Sequence, residues 1–238
     1  MNAIKRIFIL LLLLYPYLTK TIITPFNPTN TIIAIDLDEV VIKERENSLT
    51  SWFSKPSRWG FALALSRAKK KYGISDAYPL IDSVVQKHPK YAKLAHRLKK
   101  RLIQAKPIHG TQALITHLIQ QGYTIIPASN MTTSVYKALL TNNHLPIVFK
   151  QKPYFIKTKK CNKKSNGRYY AKPTAAYYKN LKNYIDRKFS QQFTQIIFID
   201  DKNENVRAAR KEGIFGIHFK NPAQLRQALA QLGIKQVT

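Results

Sequence analysis

Acidic side chains are scarce in this 238-residue chain, which holds 12 Asp plus Glu against 40 Lys plus Arg, a formal net charge of +28. Cysteine is nearly absent. The single Cys161 excludes an internal disulfide framework and a multi-cysteine zinc cluster. Only 8 glycines occur, and no G-x-x-x-x-G-K-[ST], G-x-G-x-x-G or G-x-S-x-G pattern is found, so nucleotide-loop and serine-hydrolase readings lack support. The six histidines show no metal-ligand spacing and read as structural. What remains is a length and an apolar share of 45% that suit one globular domain, with or without an insertion.

The few acids are placed unevenly. Asp36, Asp38 and Glu39 follow the apolar run "TIIAI", and Asp200 and Asp201 follow "QIIFI". Strand alternation would put Asp36 and Asp38 on one side, where they repel, which calls for a positive charge between them.

Basic residues are uneven too. Residues 43–106 carry 16 basic and 4 acidic side chains, and residues 150–188 carry 13 and 1. Between them, residues 107–149 hold Lys137 alone. Two strongly basic segments suggest an anionic partner: nucleic acid, a membrane surface or a phosphorylated substrate. A general solubility charge explains them equally well.

The opening "MNAIKRIFILLLLLYPYLTK" sets Lys5 and Arg6 before an apolar run over residues 7–18. That run is shorter than the roughly 20 residues of a spanning helix and lacks an A-x-A cleavage site. Residues 1–27 are therefore read as a targeting or anchor segment that brings residues 7–18 to a membrane, making the protein exported or membrane-anchored. A buried element of a cytoplasmic protein is the alternative.

Apolar runs "TIIAI", "YTIIPA", "PIVF", "QIIFI" and "FGIHF" read as strands, with helical patterns such as "HGTQALITHLIQQG" between several of them. Near-continuous apolar strands alternating with helices imply an α/β fold, a doubly wound, Rossmann-like parallel sheet. Residues 44–106 break the rhythm with amphipathic helices and read as an inserted helical cap, leaving 28–43 and 107–238 as the core. Leu94, Leu98 and Leu102 form the apolar stripe of one such helix, and Lys93, Arg97, Lys100 and Arg101 its wet face. Residues 150–173, with Asn166-Gly167, read as an exposed hairpin or loop.

In an open parallel sheet the ligand crevice lies beyond the carboxyl ends of the strands, so Asp36, Asp38, Ser129, Asn130, Asp200 and Asp201 should converge. Clustered carboxylates suit a hard cation, and Mg²⁺ held with phosphate oxygens fits. Ser129 and the amides opening the helix of "MTTSVYKALL" would take an anion.

These residues resemble the haloacid dehalogenase (HAD) superfamily of Mg²⁺-dependent phosphohydrolases. Its D-x-D motif matches Asp36-Leu37-Asp38, its Ser or Thr motif Ser129, its lysine motif Lys172-Pro173, and its acidic motif Asp200, Asp201 and Asn205. The resemblance spans about residues 31–233, and the closing run is most similar to sugar-phosphate-type and epoxide-hydrolase-linked phosphatases of the superfamily, which usually carry a helical cap between the first two motifs. It implies that Asp36 attacks phosphorus, giving an aspartyl-phosphate, and that Asp38 serves as general acid and then base, with its carbonyl on the metal. It implies that Lys172 neutralises Asp36 and a phosphate oxygen, that Asp201 binds the metal, that Asp200 supports or shares that role, and that Asn205 holds the loop. The second aspartate of D-x-D favours phosphate-ester hydrolysis over the carbon-halogen chemistry of members lacking it.

The expectation is thus a Mg²⁺-dependent phosphatase acting on a phosphorylated small molecule. Its rival is a nucleic-acid or anionic-membrane binding protein on a HAD-like scaffold, with Tyr154, Phe155, Tyr169 and Tyr170 interleaved among lysines as stacking platforms.

Overall fold

A computed structural model describes residues 25–44, 52–72, 76–146, 148–151, 171–190 and 192–235. The apolar segments at positions 7–18, the 150–173 hairpin with its tyrosines, and Cys161 lie wholly or largely outside the described residues.

Four runs expected as strands form one parallel sheet: β1 (Thr31–Ile35), β4 (Thr124–Pro127), β5 (Gln195–Asp200) and β6 (Phe215–His218), in the order β4-β1-β5-β6. β1 is central because its five residues are all buried, leaving neither face for water. Ile33 and Ile35 point to one side, where they meet Leu114, Ile115 and Leu118 of α4 (His109–Gln120), Val135 and Leu139 of α5 (Thr133–Thr141) and Leu225 and Leu229 of α8 (Pro222–Gln231). Ile32 and Ala34 point to the other, against Tyr177, Tyr178, Leu181 and Ile185 of α6 (Ala175–Lys188) and Ala209 of α7 (Asn203–Lys211). Helices thus cover both faces, as the doubly wound reading requires.

The expected strand "PIVF" is a correction. Residues 148–151 form a short helix, Val148–Gln151, whose Phe149 is fully buried in the cluster on the Ile33 and Ile35 side of the sheet. A short apolar run carries no period that separates strand from buried helix, and packing decided.

After β1 the chain makes a tight turn, with Val41 and Ile42 N–H groups donating to the Leu37 carbonyl at 2.9 and 3.0 Å, and enters β2 (Ile42–Glu44). β2 pairs antiparallel with β3 (Ala105–Pro107), so the intervening chain leaves and returns through one two-stranded ribbon. Beyond it lie α1 (Trp59–Tyr72), α2 (Ala77–Lys87) and α3 (Ala92–Leu102). They share an apolar cluster of their own, Trp52, Phe61, Ala68, Ile81, Val84, Ala95 and Leu98. On α3, Leu98 is buried and Leu94 and Leu102 are partly buried, as the stripe implied. Among the described residues no helix is long and apolar enough to cross a membrane.

Candidate active site

The strand order places β4 and β5 on opposite sides of β1, creating a switch point at its carboxyl end. The Asp36 N–H donates to the Ile199 carbonyl at 2.8 Å and the Ala128 N–H to the Ile35 carbonyl at 2.8 Å, so the ladder carries straight into the site. A positive charge was expected between Asp36 and Asp38, which both line one cavity; the buried positive charge sits between Asp36 and Asp200.

That charge is Lys172. Its Nζ lies 2.8 Å from Asp36 Oδ2 and 2.7 Å from Asp200 Oδ2, with all three side chains buried. Lys172 is held from behind by Asn130, whose Oδ1 accepts the Lys172 N–H at 2.9 Å and whose Nδ2 donates to the Lys172 carbonyl at 3.1 Å. Both ends of the Asn130 amide are therefore committed to the Lys172 main chain. Asn130 was expected to face phosphate; it lines the cavity, and this pairing gives it the further work of positioning the lysine.

Asp200 is equally constrained. Its Oδ1 accepts the Lys202 N–H at 2.9 Å and Asn205 Nδ2 at 2.8 Å, while Oδ2 takes Lys172. Asn205, buried in the first turn of α7, is fixed in turn by Tyr178, whose hydroxyl donates to the Asn205 carbonyl at 2.7 Å. Asp201 is less buried, and its carbonyl meets His218 Nε2 at 2.9 Å.

One carboxylate oxygen from each of Asp36, Asp200 and Asp201 lies within 4.8 Å of the others. Asp36 and Asp200 share one buried ammonium, with the partly buried Asp201 beside them, so negative charge gathers where unpaired charge is expensive. Burial, opposed by Lys172 and helped by the Asp200 charge, pushes the Asp36 carboxyl up to about 6. Burial and Asp200 also raise Asp201. A hard divalent cation would relieve both, and an all-oxygen donor set suits Mg²⁺.

Asp38 is outside that trio. With Ser129 and Asn130 it lines a cavity of about 490 Å³ between the sheet edge and the inserted helices. Ser129 Oγ accepts the Met131 N–H at 3.2 Å.

Three features escaped the sequence reading. Arg101, assigned to a wet face, lines this cavity together with Gln104; helical periodicity gave its angle but could not say that the core stands opposite. Thr132 Oγ1, also at the cavity, is buried without a hydrogen-bond partner among the described residues. Asp76 reaches from the start of α2 to the start of α5, accepting the Ser134 N–H at 3.2 Å and the Ser134 hydroxyl, while Ser134 Oγ accepts the Tyr78 N–H at 3.1 Å. The only sequence signals were an Asp and a Ser near helix starts, with nothing to pair them across 58 residues.

No family model matches the chain, and no curated protein matches it in sequence. Solved structures do. A HAD family enzyme from Bacteroides thetaiotaomicron, in complex with magnesium and inorganic phosphate, aligns at a TM-score of 0.53 and 17% identity over 81% of this chain and 94% of that one. A protein described as a dehalogenase aligns at 0.53 and 12% identity, over 85% and 98% of the two chains. The chain has the fold of HAD-family enzymes, as its ordered motifs implied.

Proposed function

We propose that this protein is a Mg²⁺-dependent phosphatase that hydrolyses a phosphate monoester through an aspartyl-phosphate at Asp36. The observation that carries the reading is the buried bridge Asp36–Lys172–Asp200 with Asp201 beside it, opening on the Asp38-lined cavity. The fold shared with an enzyme solved with magnesium and phosphate supports it.

Asp36, Asp201 and, with its support, Asp200 would hold Mg²⁺, whose charge would keep Asp36 ionised and offset phosphoryl oxygens. An Asp36 oxygen attacks phosphorus, the ester P–O bond breaks, and Asp38 gives its proton to the departing oxygen. Water then attacks the aspartyl-phosphate, Asp38 takes the water proton, and phosphate leaves with Asp36 restored. Lys172 holds Asp36 in place and would offset a phosphate oxygen once the Asp36 carboxylate has given up its charge to the acyl phosphate. Ser129 offers a hydroxyl to the phosphate.

Asp38 favours an ester over an organohalide. An alkoxide is a poor leaving group and needs a proton as it departs, whereas halide leaves as a stable anion.

The test is phosphate release from p-nitrophenyl phosphate with Mg²⁺ and with EDTA, by the wild-type protein and Asp36→Asn. Metal-dependent release that disappears in a folded Asp36→Asn is expected. Equal release by the variant would remove Asp36 as nucleophile, and halide release from 2-chloropropionate without phosphate release would replace the reading with a dehalogenase.

A further inference from the structure

The inserted helices carry a second concave surface, remote from the carboxylate cluster. A groove of about 360 Å³ runs between α1 and α2, lined by Arg67, Lys71, Lys87 and Lys90 and, among the described residues, by no acidic side chain. Its floor is aliphatic, from Leu63, Ala64, Ala68 and Val84. Beside the groove-lining Gly60, α1 exposes Trp59 by 60%, and it exposes the groove-lining Leu63 by 50%, four residues on and so on one face. Phe215 is the other large hydrophobic exposed among the described residues, and it packs edge-on against Phe26 with ring centroids 5.2 Å apart. Trp59 and Leu63 stand out at the rim of a cationic groove.

Cations over an aliphatic floor, with an indole and a leucyl side chain projecting beside them, match the layered chemistry of a phospholipid interface. Phosphate headgroups lie above glycerol and acyl carbons, and tryptophan favours the boundary. A nucleic-acid strand would instead want a row of open aromatic faces for successive bases, and Trp59 offers one. Of the rings lining the groove, Tyr91 lies against Phe61 at 5.3 Å and under Lys90 Nζ at 5.3 Å, and His88 meets Tyr91 edge-on at 6.0 Å. We propose that this face of the inserted helices docks on an anionic phospholipid membrane, with Arg67 and Lys90 against headgroup phosphates and Trp59 and Leu63 entering the interface. The sequence agrees, since Lys5, Arg6 and the apolar residues 7–18 are the composition of a segment that seeks the same surface. This docking is independent of the phosphatase reading.

The chain contains a built-in reporter. Of its two tryptophans, Trp52 is buried and Trp59 exposed, and residues 1–24 hold neither. Selectively excited tryptophan emission of the full chain is titrated with phosphatidylcholine vesicles and with vesicles in which part of that lipid is phosphatidylglycerol. A blue shift with the anionic vesicles alone is expected, absent from Trp59→Phe. The double variant Arg67→Glu/Lys90→Glu, with circular dichroism as the folding control, should need at least tenfold more anionic lipid for the same shift, on the order of fivefold being expected for each cation lost near a charged membrane. Emission that stays fixed while the protein sediments with vesicles would overturn the proposal by assigning binding to the N-terminal segment. An equal shift on neutral vesicles would remove the cations' role. Emission that responds to a single-stranded oligoribonucleotide and not to vesicles would turn the groove into a nucleic-acid site.

Discussion

The ammonium of Lys172 and the carboxylate of Asp200 meet at 2.7 Å in the interior, their side chains 2% and 0% exposed. Asp36 shares the same nitrogen at 2.8 Å. One cation thus links the ends of β1 and β5 through a residue that belongs to neither strand.

Removing that cation should cost more than any single contact. Lys172→Met keeps much of the apolar stem and leaves Asp36 and Asp200 facing each other without a counter-charge. A loss of about 3–5 kcal/mol in denaturant unfolding at neutral pH is expected, because breaking one partner of a buried pair strands the other. Acidification toward pH 4 should recover part of it by protonating the acids. A variant as stable as the wild type across that range would mean that water reaches the pair.

Asn205→Ala tests the support of Asp200. The substitution removes the 2.8 Å bond to Oδ1 inside the protein and should cost about 1–3 kcal/mol. A roughly 10–100-fold weaker Mg²⁺ response, read from the metal dependence of the unfolding midpoint, is expected if Asp200 orients the cation site. Lost stability with unchanged Mg²⁺ dependence would confine Asn205 to structure.

The raised Asp36 pKa sets a pH window. The group ionises near pH 4 when unfolded and at about 6 when folded, so the metal-free native state binds more protons between those values. Its contribution to stability is fully present below about pH 4 and is lost as pH rises through about 6. Asp201, raised by the same causes, acts in the same direction. Mg²⁺ competes with the proton, so its affinity should rise from pH 5 to 7 with proton release in calorimetry, and proton release that is absent at pH 5.5 would exclude the shift.

Asp76→Ala should loosen the inserted helices from the core. The carboxylate joins the starts of α2 and α5 through Ser134, and its loss leaves the Ser134 N–H and hydroxyl without their acceptor. About 1 kcal/mol of stability is expected to go, with faster proteolysis within residues 52–102. Proteolysis confined to other segments would show that the ribbon of β2 and β3 alone holds the insertion.

Much of the architecture was legible because apolar runs and helical periods are local records of which face is dry. β1, β4, β5 and β6 stand where continuous apolar runs were read, and α4 ends at Gly122, whose φ of +90° suits glycine. Asp36, Ser129, Lys172 and Asp200 are visible in sequence as strand-end polar residues and a lysine before proline, because a parallel sheet gathers such groups at one edge.

The sequence by itself determined that acids would gather at two strand ends in a chain otherwise short of them, and that a parallel α/β sheet would bring those ends together. Tertiary structure decided the partners. It set Lys172 between Asp36 and Asp200, turned Asn130 onto the lysine, brought Arg101 to the cavity, made residues 148–151 helical and joined Asp76 to Ser134. Each of these depends on which element packs opposite, and that choice is made by burial summed over the whole chain.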